Sequence, residues 1–349
     1  MKLNHIYKSI ACGVLLAMTA TSCDLDYNPV DTYSDVTEGV NKTDEKPIFN
    51  SVQDVETSMV TLHKKFRDQQ EHWYVDKLLI GDAHSDNAYA GTTGAEVVPY
   101  ETNSIEGSNS VLKRDWDRFL GDIAVANRII VGCDQLKALS ESERGKYQSQ
   151  AKIFRAMVMF DMVRLWGNFP VITTVGGDIT EDNVEEMYPT YFPPQNTAEE
   201  AYAQIEKDLT EAVENPNTPT NDTSDKSILT KSVARAMLAK VYAEKPLRDY
   251  AKVIKYADEL AADGFDLVED FSDLWAYDTE KKDCRVRNTK EAILEAHFPP
   301  GSGNWCTWMF GRNLSNWDES FTWAKWITPS RDLIRLYEEQ GDTKRYNES

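Results

Sequence analysis

The sequence predicts an all-α scaffold of tetratricopeptide-like helical repeats that carries long irregular loop excursions. Three observations lead there. Apolar residues recur at steps of three and four in six separate stretches. Capping signals of the Ser/Thr-x-x-Glu type open two of them. The later helices fall in pairs spaced near the tetratricopeptide period of roughly 34 residues, a degenerate repeat whose members stack to bury a shared core.

The first helix runs from Val52 to about Asp68 through Val55, Met59, Leu62 and Phe66. The stretch after it, LLIGDAHSDNAYAGTTGAEVVPY, is rich in Gly, Asp, Asn and Thr and reads as a long loop. Trp116, Phe119, Ile123, Ala126, Asn127, Ile130 and Val131 mark the second helix. The third, from Ser140 to Trp166, has the clearest signal in the chain. One apolar stripe holds Tyr147, Ala151, Phe154, Val158, Met162 and Leu165, and Ile153, Met157, Phe160 and Val163 lie beside it. A helix apolar on two flanks packs between neighbours, so this one is central. Ser140 with Glu143 caps its start, and Gly167 followed by Pro170 stops it.

Residues 173–194 read as a second long loop, acidic at Asp178, Glu181, Asp182, Glu185 and Glu186. Thr197 and Glu200 cap a fourth helix through Ala201, Ile205, Leu209 and Ala212. Thr230 opens a fifth through Val233, Ala234, Met237, Leu238 and Val241. A sixth carries Tyr250, Val253, Ile254, Ala257 and Ala261, with Gly264 as its terminator. From Asp266 the helical period fades into aromatics and turns.

The segment AKIFRAMVMFDMVRLWGNFPVI resembles the signature helix of the RagB/SusD family of nutrient-uptake lipoproteins, the starch-utilisation-system D-like proteins. Phe154, Arg155, Ala156, Phe160, Val163, Trp166, Gly167, Pro170 and Val171 stand in register with it. Further motifs agree in order along the chain. Thr197, Glu200, Tyr202, Ile205, Asp208, Leu209 and Ala212 match the family's fourth helix, and Thr230, Lys231, Ala234, Leu238, Val241 and Tyr242 its fifth. TKEAILEAHF at residues 289–298 is similar to the family's short strand. The family's T-P-S-x-D-L motif reappears at Thr328, Pro329, Ser330, Asp332 and Leu333. The motif lies close to the last residue, where the family's pattern continues further, so a C-terminal truncation is expected.

At the N-terminus, Lys2 and Lys8 precede an apolar run from Ile10 to Ala20 that is too short to span a bilayer, the form of a secretory signal peptide over residues 1–22. Ala20-Thr21-Ser22-Cys23 resembles a lipobox, with Cys23 as the diacylated first mature residue. Asp24 and Asp26 resemble a surface-export signal. Residues 23–47 read as a polar tether, and 48–349 as the helical domain. The resemblance implies a surface-exposed lipoprotein of the cell outer membrane, anchored through Cys23 in membrane lipid.

A formal net charge of −20 disfavours nucleic acid and anionic membrane surfaces as partners. Beyond Cys23 and the signal region the cysteines are Cys133, Cys284 and Cys306. Their spacing makes neither a metal site nor a disulfide framework, although one bridge between Cys284 and Cys306 stays open; Cys133 reads as a buried small hydrophobe. The 5 His show no ligand spacing, and neither a nucleophile elbow, a zinc-protease helix, a Walker loop nor a Rossmann fingerprint appears. Neither catalytic residues, nor a metal, nor a cofactor are expected.

The binding chemistry concentrates in an aromatic excursion at about residues 266–327. Trp305, Trp308, Trp317, Trp323 and Trp326 are five of the 9 Trp. Indole faces suit the C–H faces of sugar rings, and interleaved Asn304, Arg312, Asn313, Asn316 and Asp318 suit the hydroxyls around them. Trp305, Trp308 and Trp317, flanked by glycines, are the expected platform with Asn304, Arg312 and Asn316, whereas Trp323 and Trp326 read as core. The family's glycan site joins such a region to the early loop, which implicates Asn87 and Tyr89. Lys281, Lys282, Arg285, Arg287 and Lys290 form a basic island that suits either a solvated loop or a carboxylate- or sulfate-bearing sugar.

The implied function is capture of a nutrient oligosaccharide and its delivery to a SusC-like TonB-dependent transporter. Two other readings stay open on sequence: a scaffold or lid of the transporter that binds no sugar, and a secreted glycoside hydrolase.

Overall fold

The computed structural model describes residues 47–90, 94–298 and 327–348, apart from positions 178, 180, 182, 275, 279 and 282. Residues 47–349 form one compact unit. Residues 1–46, where a signal peptide, the lipidated Cys23 and most of the tether are expected, lie outside the described residues, and so do Asn304, Trp305, Trp308, Arg312, Asn316 and Trp317.

The chain is mostly helical, as its periodicity predicts. Its long helices are α1 (Val52–Asp68), α4 (Ser110–Gln135), α5 (Glu141–Trp166), α7 (Ala198–Glu214), α8 (Lys231–Ala243) and α9 (Tyr250–Ala262). Short elements lie between and after them: α2 (Asp76–Gly81), β1 (Ala88–Ala90), α3 (Val98–Glu101), α6 (Val184–Tyr191), β2 (Tyr277–Asp278), β3 (Asp283–Cys284), β4 (Ile327–Pro329), α10 (Arg331–Gln340) and α11 (Thr343–Glu348).

Helix α5 is the hub. It packs on α1, α4, α7 and α8, while α8 passes the stack on to α9. Ile153, Phe154, Ala156, Val158, Met159 and Met162 are fully buried along it, which is the two-flanked burial its sequence requires. The Ser140 hydroxyl accepts from the Glu143 N–H while the Glu143 carboxylate accepts from the Ser140 N–H. At the other end Gly167 takes φ of +73°, a conformation that costs a side-chain-bearing residue strain, and the helix stops. The Thr197–Glu200 box opens α7 in the same way, and Gly264, at φ +92°, follows α9.

Three expectations need correction. The stretch from Leu78 to Tyr100 is not one long loop. Leu79 ends up in α2, and Leu79, Ala83, Ala88, Val97 and Tyr100 join Val111 and Ile327 in a second, smaller core. Those contacts are tertiary, so a scan for local period misses them. The second excursion, 173–194, contains the short helix α6. Residues 289–298 form no strand; instead the Glu295 N–H donates to the Lys226 carbonyl at 2.9 Å, and Ile293, Leu294 and Ala296 pack on the main core.

The second excursion is closed at its base. Phe169 and Asn196 form an antiparallel bridge, the Asn196 N–H donating to the Phe169 carbonyl at 2.9 Å. The Asn196 side chain accepts from the Val171 N–H at 2.9 Å. From deeper in the stack, the Asn127 amide donates to the carbonyls of Ile172 and Thr174.

Candidate functional site

The early loop and the T-P-S motif meet, although 237 or more residues separate them in sequence. β1 and β4 pair antiparallel with Ala88 opposite Pro329, Tyr89 opposite Thr328 and Ala90 opposite Ile327. Alternation along β1 turns Ala88 into the small core and Tyr89 outward, 38% exposed. The Ser330 N–H donates to the Asn87 carbonyl at 2.8 Å, and the Arg331 N–H donates to the Tyr89 hydroxyl at 3.4 Å. The Ala90 N–H donates to the Glu101 carboxylate at 2.8 Å. Two β-strands of three residues are thus held by more than their own ladder.

The Ser330 hydroxyl caps α10 by accepting from the Leu333 N–H at 3.0 Å. That cap starts α10 directly beside the exposed loop. Between them lies a shallow depression of about 250 Å³ lined by Asp86, Asn87, Asp332, Leu333, Arg335 and Glu339, among others. Arg335 spans Asp332 and Glu339 at 2.8 and 3.4 Å. Fixed carboxylates, an amide and a guanidinium around an open trough can exchange hydrogen bonds with hydroxyls.

Of the sequence-predicted ligand residues, the structure therefore brings Asn87 and Tyr89 together with the motif that follows the aromatic excursion. The other six lie outside the described residues. Asp332, Arg335 and Glu339 were missed as candidates. Asp332 carries a signal as a fixed position of the T-P-S motif, which reads as structural until its partner strand is known, whereas Arg335 and Glu339 stand outside the motif's fixed positions.

The basic island is neutralised from within. Lys281 pairs with Asp278 at 3.5 Å, Arg285 with Asp273, Arg287 with Asp283, and Lys290 with Asp266 at 3.5 Å. Charges already bridged this way offer no open fork to an acidic sugar. Lys282 lies outside the described residues.

Beneath the small core sits a buried charge cluster. Asp76 and Asp115 are 0% and 1% exposed, and Arg114 reaches Asp76. Burial and the neighbouring Asp76 carboxylate push Asp115 up to about 9. The pair is sealed from solvent and supports the site without facing it. Cys133 is buried, its thiol pushed up to about 12 by burial, and Cys284 is an exposed free thiol; Cys306 lies outside the described residues. Among the described residues no group of three or more His, Cys, Asp or Glu is placed to hold a metal, and no helix is long and apolar enough to cross a membrane.

Comparison with known proteins agrees with this architecture. Residues 32–243 match the SusD-like_3 family model, described as starch-binding and associating with the outer membrane. A SusD-like protein of Bacteroides ovatus is 25% identical over 309 residues, which cover 85% of this chain and 50% of the relative. Among solved structures, surface glycan-binding protein A of Bacteroides uniformis superposes with a TM-score of 0.67 at 16% identity, over 86% of this chain and 63% of that one. The corresponding protein of Bacteroides thetaiotaomicron, solved in complex with laminarihexaose, gives 0.64 at 15% identity, over 82% and 61%. The chain spans about half the length of the curated relative it matches.

Proposed function

Because the chain belongs to the SusD-like family of glycan-binding, outer-membrane-associated proteins, we propose that it captures a nutrient oligosaccharide at the cell surface and passes it to a TonB-dependent transporter of the SusC-like kind. In this reading residues 1–22 are removed as a signal peptide, Cys23 carries lipid, 23–47 is a tether and 48–349 is the working domain.

The observation that carries the reading is the β1–β4 pairing. It holds exposed Tyr89 opposite Thr328 and Asn87 against Ser330, on the strand that directly follows the tryptophan-rich stretch in sequence. Aromatic rings from both sources then stack on sugar faces while Asn87, Asn304, Arg312 and Asn316 bond the hydroxyls. The mechanism is capture and release with no bond made or broken, which needs a rigid support and a fast off-rate. The helix stack around α5 supplies the support.

Calorimetric titration with β- and α-linked gluco-oligosaccharides tests the site. Substituting Trp305, Trp308 and Trp317 together by Ala is expected to abolish binding with an unchanged circular dichroism spectrum, and Tyr89→Ala to weaken it. Full binding by the triple variant moves the site elsewhere. Cys23→Ser is expected to lose incorporation of a labelled fatty acid; retained labelling contradicts the anchor.

A further inference from the structure

The excursion between α5 and α7 does more than connect two helices. Its base is closed by the Phe169–Asn196 bridge and tied to the core through Asn127, so it leaves the stack as a set arm. Along it the Tyr191 hydroxyl donates to the Gly177 carbonyl at 2.6 Å. The Tyr191 ring lies so close over Gly176 that an added Cβ would stand 2.9 Å from it. The Tyr188 and Phe192 rings stack with centroids 4.9 Å apart. No residue of α6 is buried. Tyr188 is 59% exposed and Phe192 67%, with Ile179, Val184 and Tyr191 exposed beside them.

The arm tip thus presents apolar side chains that no described residue covers. Three rings at about half exposure present roughly 300 Å², the size of the largest patch on a typical monomer and less than one side of a standard interface, so the arm is an anchor point within a larger contact. Its charge narrows the choice of partner. Residues 165–206 contain no Lys, Arg or His, and Glu185 and Glu186 make no ion pair among the described residues. Anionic lipid and a second copy of this chain, itself at −20, are repelled. A sugar platform pairs rings with donors as well as acceptors, whereas here aliphatic Ile179 and Val184 interrupt the rings and the charged groups only accept. A protein surface with an apolar groove rimmed by Lys and Arg meets every requirement.

We propose that the arm tip, Val184 to Phe192, is the element by which this chain docks into a basic-rimmed apolar groove of its transporter. The inference rests on the transporter reading given above. The test uses the full chain in its own outer membrane, with a photo-reactive phenylalanine analogue placed singly at Tyr188, at Phe192, and at other exposed positions such as Val60, Ile254 and Leu336. The expected result is an adduct with a TonB-dependent transporter, identified by mass spectrometry, from position 188 or 192. Combined Glu185→Lys and Glu186→Lys is expected to weaken that adduct about tenfold. Transporter adducts formed only from other positions overturn the arm and leave the transporter reading standing. Absence of a transporter adduct from every position overturns both, and an adduct from 188 to glycan or to a second copy overturns the arm.

Discussion

Arg155 on α5 grips Asp208 on α7 through two parallel hydrogen bonds, Nε to Oδ2 at 2.8 Å and Nη2 to Oδ1 at 2.7 Å, in a region where the two side chains are 4% and 1% exposed. The remaining Arg155 nitrogen, Nη1, donates to the Asn127 side-chain oxygen Oδ1 at 2.7 Å, and Gln204 donates to Asp208 at 2.9 Å. Three helices are therefore locked in register by one planar fork. Through Asn127 the same fork fixes the carbonyls at the root of the arm.

Removing one partner leaves a buried charge without its counter-ion. Asp208→Ala is expected to cost about 3–5 kcal/mol in urea denaturation. The apolar pair Arg155→Met with Asp208→Leu should recover much of that loss, because it removes both desolvation costs at once. A single variant as stable as the parent chain contradicts the network's structural role.

Two glycines on α4 should respond to alanine with opposite sign. A Cβ at Gly121 meets nothing within 4 Å, so Gly121→Ala is expected to stabilise by up to about 1 kcal/mol through helix propensity. A Cβ at Gly132 would stand 2.4 Å from the buried Phe49 ring, an overlap that propensity does not offset. Gly132→Ala is expected to destabilise by about 1–3 kcal/mol. Thermal melts of the two variants decide it, and a shift of the same sign in both refutes the packing argument.

Asp115 gives the fold a pH dependence of defined sign. The unfolded chain gives up this proton near 3.8 while the folded chain keeps it up to about 9, so between those values the folded state binds more protons and stability falls as pH rises. Asp76, Arg114 and Arg118 face the group, and the two arginines work against the shift. His63 is lowered by burial and acts in the opposite sense below its ordinary value of 6.5, so the comparison is made between proteins. Asp115→Asn mimics the protonated acid, and its stability relative to the parent should grow from pH 5.5 to pH 8 by up to about 1.4 kcal/mol per pH unit. An equal difference at both pH values shows that Asp115 is ionised in the folded protein.

Much of this architecture is legible in the sequence, and the rest fails for identifiable reasons. Ser140 with Glu143, Thr197 with Glu200 and the glycines 167 and 264 punctuate their helices where local chemistry says they should, because capping is settled within one turn of chain. The two-sided burial of α5 is equally visible in its doubled stripe. What local reading misses depends on distant partners. Leu79 and Tyr100 look like loop residues until Ile327 arrives to share their core, and the strand character of Ala88–Ala90 exists only because Thr328 lies opposite Tyr89. The candidate site divides the same way. Asn87 and Tyr89 were found through motif resemblance, whereas Asp332, Arg335 and Glu339 become candidates only through the pairing that sets α10 beside them. For the basic island, the Lys281–Asp278 and Arg287–Asp283 pairs lie within local reach and fit the solvated-loop reading, whereas the partners of Arg285 and Lys290, Asp273 and Asp266, lie at sequence distances that charge patterning does not connect.

The central claim is that this chain binds an oligosaccharide through exposed aromatic rings. The most direct measurement is intrinsic tryptophan fluorescence of protein beginning at Asp24, titrated with plant, host and microbial oligosaccharides that include laminarihexaose. A saturable shift with one structural class of glycan is expected, lost in the triple Trp305, Trp308 and Trp317 alanine variant. A flat response across the whole panel from folded protein contradicts it and leaves a helical scaffold whose business is with the transporter alone.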